Sequence, residues 1–200
     1  MKLNKKGFTL IELLAVIVIL GVLLAIAIPS VTKYINISKK STYIDNVQSY
    51  AMAAKNQATI GTYKYPVNNN DATVIYFSSI VEHLDKGGKT SSYGSEFKTA
   101  NSFVVIANEG TAEDPKYEMY IAAIDEDNYG VGVIATDKSI TAQAIAYNDL
   151  KNDNIVQITS GTGSSLTTGS NPTVKVTNIS RSGNTSTVSN KTFTVTNKYE

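Results

Sequence analysis

The sequence predicts an α+β fold in which a long N-terminal helix packs against an antiparallel β-sheet head. Residues 8–28 form an almost unbroken apolar run, and residues 29–60 continue it with apolar side chains three or four positions apart. Residues 61–200 instead alternate between short apolar stretches and clusters of turn residues. A helical period followed by strand periods is typical of helices and strands that occupy separate parts of one chain.

The run at residues 8–28 is long enough to span a membrane. It contains one charged residue, Glu12, and at about 1.5 Å per residue a helix of this length measures roughly 30 Å. Lysines precede it at Lys2, Lys5 and Lys6, which places this end in the cytoplasm and the rest of the chain outside. A buried core helix is the alternative, but such a helix seldom lacks a polar face.

Residues 29–60 extend the same helix as an amphipathic half. Pro29 removes one helical hydrogen bond, which predicts a kink near residues 25–29. Gly61 is a plausible stop. A helix from residue 8 to about 60 is on the order of 80 Å long. One domain cannot bury such a rod, so lipid or other copies of the chain must cover its apolar half.

Composition excludes several functions. The chain has no cysteine, so disulfides and thiolate metal sites are impossible. Its net charge is +1, and Arg181 is its one arginine, so nothing indicates a specific nucleic-acid surface. Nothing in the sequence calls for a cofactor.

The residues KKGFTLIELL, from Lys5 to Leu14, resemble the prepilin signature of type IV pilins and pseudopilins. The resemblance implies a class III leader, residues 1–7, that prepilin peptidase removes between Gly7 and Phe8. The same enzyme would N-methylate Phe8. Glu12 matches the acidic fifth position of the mature chain, Pro29 matches the kinking proline, and the implied fold is the pilin fold.

Glu12 also has a physical explanation. A carboxylate in an apolar assembly needs a cation, and the chain offers no lysine between Lys6 and Lys33. Cleavage after Gly7 creates a cation, the α-amino group of Phe8. We therefore expect Glu12 to pair with that amine, in its own chain or a neighbour, and so to set the register of assembly.

The resemblance implies a structural protein, not an enzyme. The chain would polymerise with itself and other pilins, on a membrane assembly platform, into an extracellular type IV pilus for adhesion, surface motility or biofilm formation. Before assembly it would sit in the cytoplasmic membrane as a single-pass protein with its C-terminus outside.

The alternative is a pseudopilin or minor pilin of a type II secretion or competence DNA-uptake machine. A membrane-anchored binding protein that never polymerises would not need Glu12. Without cysteine the C-terminal disulfide loop of many pilins cannot form, which suggests a Gram-positive-like source.

The head is predicted to contain a strand that runs into a short helix and then several further strands. The strand and the short helix cover Val74–Leu84, and the three strands that follow cover Ser102–Ala107, Tyr117–Asp125 and Tyr129–Thr136. Residues 139–150 are ambiguous between helix and strand, and residues 160–171 are predicted to be a linker. The Thr-rich stretch at 172–197 is predicted to form a hairpin in which Thr173–Ile179 pairs with Lys191–Thr196. The three central strands are expected to present one apolar face to the helix.

Two smaller features invite a chemical interpretation. His83 is the single histidine, and no partner for a catalytic dyad stands out, so a surface position is expected. The turn that contains Asp125, Glu126 and Asp127 offers oxygen ligands for calcium. Acidic turns between strands are usually only solvated, so this is a weak candidate and no metal site is predicted.

Overall fold

The computed structural model describes most of the 200-residue chain: residues 9–85, 87–136, 139–142, 144–157, 163–164, 172–182 and 185–200. The predicted leader, Phe8 and most of the predicted linker lie outside the described residues. The chain divides into two compact units, Met1–Lys39 and Lys40–Glu200. The fold class is α+β, as the sequence predicts.

The first element is a 50-residue helix, α1, at Leu10–Thr59. It ends at Thr59, two residues before the predicted stop at Gly61, whose φ of +88° suits glycine. The Gly61 N–H donates to the Ala58 carbonyl at 3.1 Å, and the Thr62 N–H donates to the Gln57 carbonyl at 2.9 Å. These two bonds form a Schellman motif, which satisfies carbonyls at the end of the helix.

The second unit contains the last part of α1 as well as the head. Its buried helical residues recur three or four positions apart, which places them on one face of the helix: Tyr43, Ile44, Val47, Tyr50, Ala51, Ala53, Ala54 and Ala58. The alanines allow the helix to approach the strands closely, and the tyrosines fill the space between them. The rings of Tyr50 and Phe77 stack with their centroids 3.7 Å apart.

After α1 come eleven strands and one further short α-helix in the described part of the chain. Their bounds are β1 Asp71–Tyr76, α2 Phe77–Ile80, β2 Phe103–Asn108, β3 Tyr117–Ile124, β4 Tyr129–Val131, β5 Val133–Thr136, β6 Ser139–Ala142, β7 Ala144–Ala146, β8 Val156–Gln157, β9 Gly163–Ser164, β10 Thr173–Ser182 and β11 Thr185–Tyr199. The predicted strand that runs into a helix is confirmed by β1 and α2, and the predicted C-terminal hairpin by β10 and β11. The ambiguous residues 139–150 form β6, β7 and a 3₁₀ turn.

Six strands pair in a closed ring. β1 pairs with β2 and, in parallel, with β11. β11 pairs with β10, and β10 pairs in parallel with β7. β7 pairs with β3, and β3 returns to β2. The remaining neighbours in the ring are antiparallel, so the sheet is mostly antiparallel and closes into a small barrel.

The ring gives the central strands two buried faces. All six residues of β2 are buried: Val104 and Ile106 join the core that contains α1, whereas Phe103 and Val105 join a second core. That second core also receives Phe193 from β11. The apolar face that was expected to pack against the helix is therefore present, but the sequence did not reveal that these strands have a second buried face, which lines the interior of the ring.

The short strands extend this arrangement at its margins. β4 pairs with the end of β3 and with β8, while β5, β6 and β9 form a separate three-stranded sheet. The predicted strand Tyr129–Thr136 is thus divided at Gly132, where φ is +68°. Only glycine adopts that backbone readily, so the two halves join different sheets.

Candidate assembly site at the start of the helix

The first turn of α1 contains a reciprocal cap between Thr9 and Glu12. The Thr9 backbone N–H and hydroxyl both donate to Glu12 Oε2, at 2.8 and 2.7 Å, and the Glu12 N–H faces Thr9 Oγ1 at 3.3 Å. Helices leave their first N–H groups without partners, and this Thr-x-x-Glu pattern satisfies two of them. Thr9 and Glu12 therefore form a capping box.

The cap brings the Glu12 carboxylate back to the beginning of the helix. Its Oε2 lies 2.8 Å from the nitrogen of Thr9, the residue that directly follows Phe8. Among the described residues, no hydrogen bond reaches the other carboxylate oxygen. Gly7 and Phe8 themselves lie outside the described residues. The carboxylate thus stands one residue from the predicted cleavage point, with an oxygen available for another donor.

The helix that follows carries an apolar surface that the rest of its unit leaves uncovered. Every side chain from Leu10 to Lys39 is exposed, and Leu10 itself is 83 % exposed. Among the described residues, α1 is the one helix whose length and composition would suit a membrane span. Such a surface is unfavourable in water, so lipid or protein is needed to cover it.

Pro29 lies inside α1, and the helix continues through it. Beside it, the Thr32 hydroxyl donates to the Ile28 carbonyl at 3.0 Å. The kink predicted for residues 25–29 stays a prediction.

The carboxylates of the acidic turn, Asp125, Glu126 and Asp127, lie in different environments. Asp125 is fully buried and accepts hydrogen bonds from the Ser91 hydroxyl at 2.6 Å and the Tyr129 N–H at 2.8 Å. Burial raises the pKa of Asp125, and these hydrogen bonds oppose the rise. Glu126 and Asp127 are exposed. Within the described residues no three acidic, histidine or cysteine side chains converge in a way that would hold a metal ion.

His83 ends a 3₁₀ turn, Val81–His83, and is exposed, in line with the surface position expected from the sequence. The hydrogen bonds of Asp125 give its carboxylate a structural role in its loop. Of the candidate sites considered in the sequence, the described residues support the one at the helix start.

A polar cluster that the sequence did not reveal joins four parts of the head. Glu109 accepts hydrogen bonds from the Tyr120 hydroxyl at 2.5 Å and from Lys191 Nζ at 2.7 Å. The Asn178 side-chain amide donates to the same Tyr120 oxygen at 3.3 Å. These residues follow β2 or lie in β3, β10 and β11, so their sequence positions are too far apart for any local pattern to connect them. These contacts link strands of the ring and support its closure.

Comparison with known proteins matches only the start of the chain. Residues 2–28 match the family described as the prokaryotic N-terminal methylation motif. No curated protein and no solved structure matches the chain. The matched region contains Gly7, Phe8 and the Thr9–Glu12 capping box, so the motif and the candidate site coincide.

Proposed function

We propose that this chain, a type IV pilin-like prepilin by its N-terminal methylation motif, is a subunit of an extracellular type IV pilus. Prepilin peptidase removes residues 1–7 and methylates the amine of Phe8. Before assembly, the apolar part of α1 anchors the mature subunit in the membrane. It then leaves the lipid and packs that same surface against other subunits.

One observation carries the proposal: a fully exposed apolar helix begins with a carboxylate that is held back towards the cleavage point. A membrane anchor alone needs the apolar surface but gains nothing from a carboxylate within it. In a packed filament the charge of Glu12 is unfavourable unless a cation meets it. The amine of Phe8 supplies that cation, and the capping box already holds the carboxylate near Thr9.

The independent core of the head supports a pilus subunit over a pseudopilin. The unit Lys40–Glu200 buries two apolar cores, which is a substantial exported domain for a filament surface. A pseudopilin would carry the same N-terminal machinery, so abundance in surface filaments separates the two functions.

The direct test is electron microscopy and mass spectrometry of filaments sheared from the cell surface. We expect the chain as a main component, beginning at Phe8 with one added methyl group. A chain that retains residues 1–7 would contradict the proposal. Filaments that carry the chain only in traces would assign it to the minor pilins or pseudopilins.

A pair of variants tests the charge of Glu12 separately from its capping role. Glu12→Gln keeps a side-chain oxygen for the Thr9 N–H but removes the charge, whereas Glu12→Val removes both. We expect both variants to be cleaved after Gly7 and both to be lost from filaments. Normal assembly of Glu12→Gln would show that capping alone suffices and that no ion pair with Phe8 is needed.

A further inference from the structure

Two pockets that join along the flank of α1 form an open groove in the second unit. One pocket, of about 330 Å³, is lined by Asp45, Met52, Asp85 and Tyr147 among others. The adjoining pocket, of about 470 Å³, shares Met52 and Tyr147 with it. We call this surface the flank groove. It offers an apolar centre, where Met52 is 42 % exposed, with carboxylates at one end.

In the part of the chain that the structure describes, the acidic end of the flank groove has no countercharge. Asp45 and Asp85 are both exposed, and none of the described residues that line that pocket is a lysine or arginine. Neither carboxylate forms an ion pair with a described residue. A partner that brings a cation next to an apolar side chain would therefore complement this end.

The chain itself contains a segment of that chemistry. Residues 30–40 carry Lys33, Lys39 and Lys40, and the chain has no acidic residue between Glu12 and Asp45. Lys33 and Ile37 lie four positions apart in α1 and share one face of the helix. Ile37 is 47 % exposed. We call residues 30–40 the basic segment.

A filament requires two different surfaces of one chain that complement each other. A contact between unlike patches repeats from copy to copy without closing, whereas a contact between like patches ends at a dimer. The flank groove and the basic segment are unlike and of opposite charge. A second copy of this chain is therefore the occupant that charge favours.

From this complementarity, and on the basis of the proposed pilus function, we propose that the flank groove of one subunit receives the basic segment of a neighbouring subunit. Lys33 of the neighbour lies beside Asp45 and Asp85, and Ile37 packs towards Met52. Parallel helices with Ile37 level with Met52 are offset by fifteen residues, or about 22 Å along the helix axis, and the long Lys33 side chain of the neighbour then reaches about one turn back to Asp45.

The absence of cysteine makes the contact directly testable. We combine Ile37→Cys with Met52→Cys in one chain and oxidise the filaments mildly. A disulfide needs Cα atoms within roughly 7 Å, so the proposed contact yields a ladder of covalently linked subunits. The matched control combines Ile35→Cys with Met52→Cys, because Ile35 is similarly exposed, at 50 %, but lies about 200° around the helix from Ile37.

We expect the first pair to crosslink about tenfold more than the control pair. Equal crosslinking of the two pairs, or none, in filaments that contain the chain overturns this inference and leaves the pilus function standing. The inference is also overturned if the Met52→Cys thiol reacts with a thiol reagent as fast in filaments as in dispersed subunits, because the flank groove would then be open in the filament. If the unaltered chain occurs in no filament, the proposed function fails and the inference fails with it.

Charge reversal provides a second measurement if the cysteine variants assemble poorly. Asp45→Lys should reduce the filament yield about tenfold, because like charges would then meet. Adding Lys33→Asp to that chain should restore most of the yield. A double variant that assembles no better than Asp45→Lys alone overturns the inference.

Discussion

At the scale of single residues, Tyr43 shows how α1 is fastened to the head. Its side chain is fully buried, and its hydroxyl donates to the Tyr129 carbonyl at 2.8 Å. Its ring packs edge-on against Phe97 at 5.3 Å. Burial raises the pKa of Tyr43 well above its ordinary value, and the charge of Asp125 adds to the rise. The hydroxyl therefore stays protonated and remains a donor.

Two substitutions at Tyr43 separate the contribution of the ring from that of the hydroxyl. Tyr43→Phe should lower the free energy of unfolding by only about 1 kcal/mol, since the Tyr129 carbonyl keeps a second donor, the Asp125 N–H at 2.9 Å. Tyr43→Ala should cost about 3–5 kcal/mol because it leaves a cavity. Urea unfolding of the detergent-solubilised chain, followed by tyrosine fluorescence, measures both. Equal losses of unfolding free energy in the two variants would mean that the aromatic ring of Tyr43 does not hold α1 against the head.

Glu109 should give the head a pH-dependent stability. Burial alone would raise the pKa of Glu109, but hydrogen bonds from Lys191 and Tyr120 outweigh it and lower the pKa. A lowered pKa means that the folded state binds the proton less tightly than the unfolded state does. The stabilisation is therefore complete above the ordinary glutamate pKa and is lost as the pH falls through the lower folded value.

The variant Glu109→Gln tests this dependence. At about pH 7 it should reduce the free energy of unfolding by about 1–2 kcal/mol. At a pH below the lowered folded-state pKa of Glu109, the variant and the unaltered chain should become similar, because Glu109 is then protonated. Glu113→Gln is the control, since Glu113 is exposed. A Glu109→Gln deficit that stays constant over the whole pH range would exclude the ion pair as its cause.

At the scale of the elements, the sequence predicted what local patterns encode. Gly61 marked the end of α1, and the apolar run before Asn108 marked β2, because turn chemistry and short apolar runs act over a few residues. The Thr9-x-x-Glu12 pattern was also present, but a carboxylate in an apolar run led to the interpretation of an ion pair with the Phe8 amine and not of a helix cap. Long-range pairing was not predictable: β1 pairs with β11 through Asp71 and Thr194, and no local pattern reports a partner so distant.

Because the ring is closed, β11 contributes side chains to the second core. A substitution at Phe193 tests this role of the strand. Phe193 is 1 % exposed and lies in the second core, with its ring 5.9 Å from that of Tyr120. Phe193→Ala should reduce the free energy of unfolding by about 3–5 kcal/mol. Its exposed neighbour offers a control on the same strand, and Thr192→Ala should change stability by less than about 0.5 kcal/mol. Comparable effects at both positions would mean that β11 lies on the surface of the head.

At the scale of the whole molecule, the fold of the head depends on part of the long helix. The compact unit begins at Lys40, and the core between helix and ring includes Val47, Tyr50 and Ala54. The prediction from sequence assigned the head to residues 61–200. The physical reason to extend it is that residues 29–60 are amphipathic, and the apolar face of their second half has its partner in the ring.

Two fragments test this dependence. Residues 40–200 should fold into a soluble unit with cooperative thermal unfolding, because both cores are complete. Residues 61–200 should be unfolded or aggregate, since the outer face of the ring loses its helix and exposes a large apolar patch. Circular dichroism and gel filtration distinguish the outcomes. Cooperative unfolding of the shorter fragment would show that the ring alone is a stable domain.

The parallel pairing of β1 with β11 also has a consequence for timing. In the proposed export of the head, β1 would emerge early from the translocation machinery, but its second neighbour, residues 185–199, lies more than a hundred residues later in the chain. During that interval one edge of β1 stays open, and open edges recruit foreign strands. Contacts this distant also form slowly. On the proposed function, the subunit is therefore most prone to misassembly during export, before it reaches its neighbours in the filament, because any delay of the last strand leaves this edge open for longer.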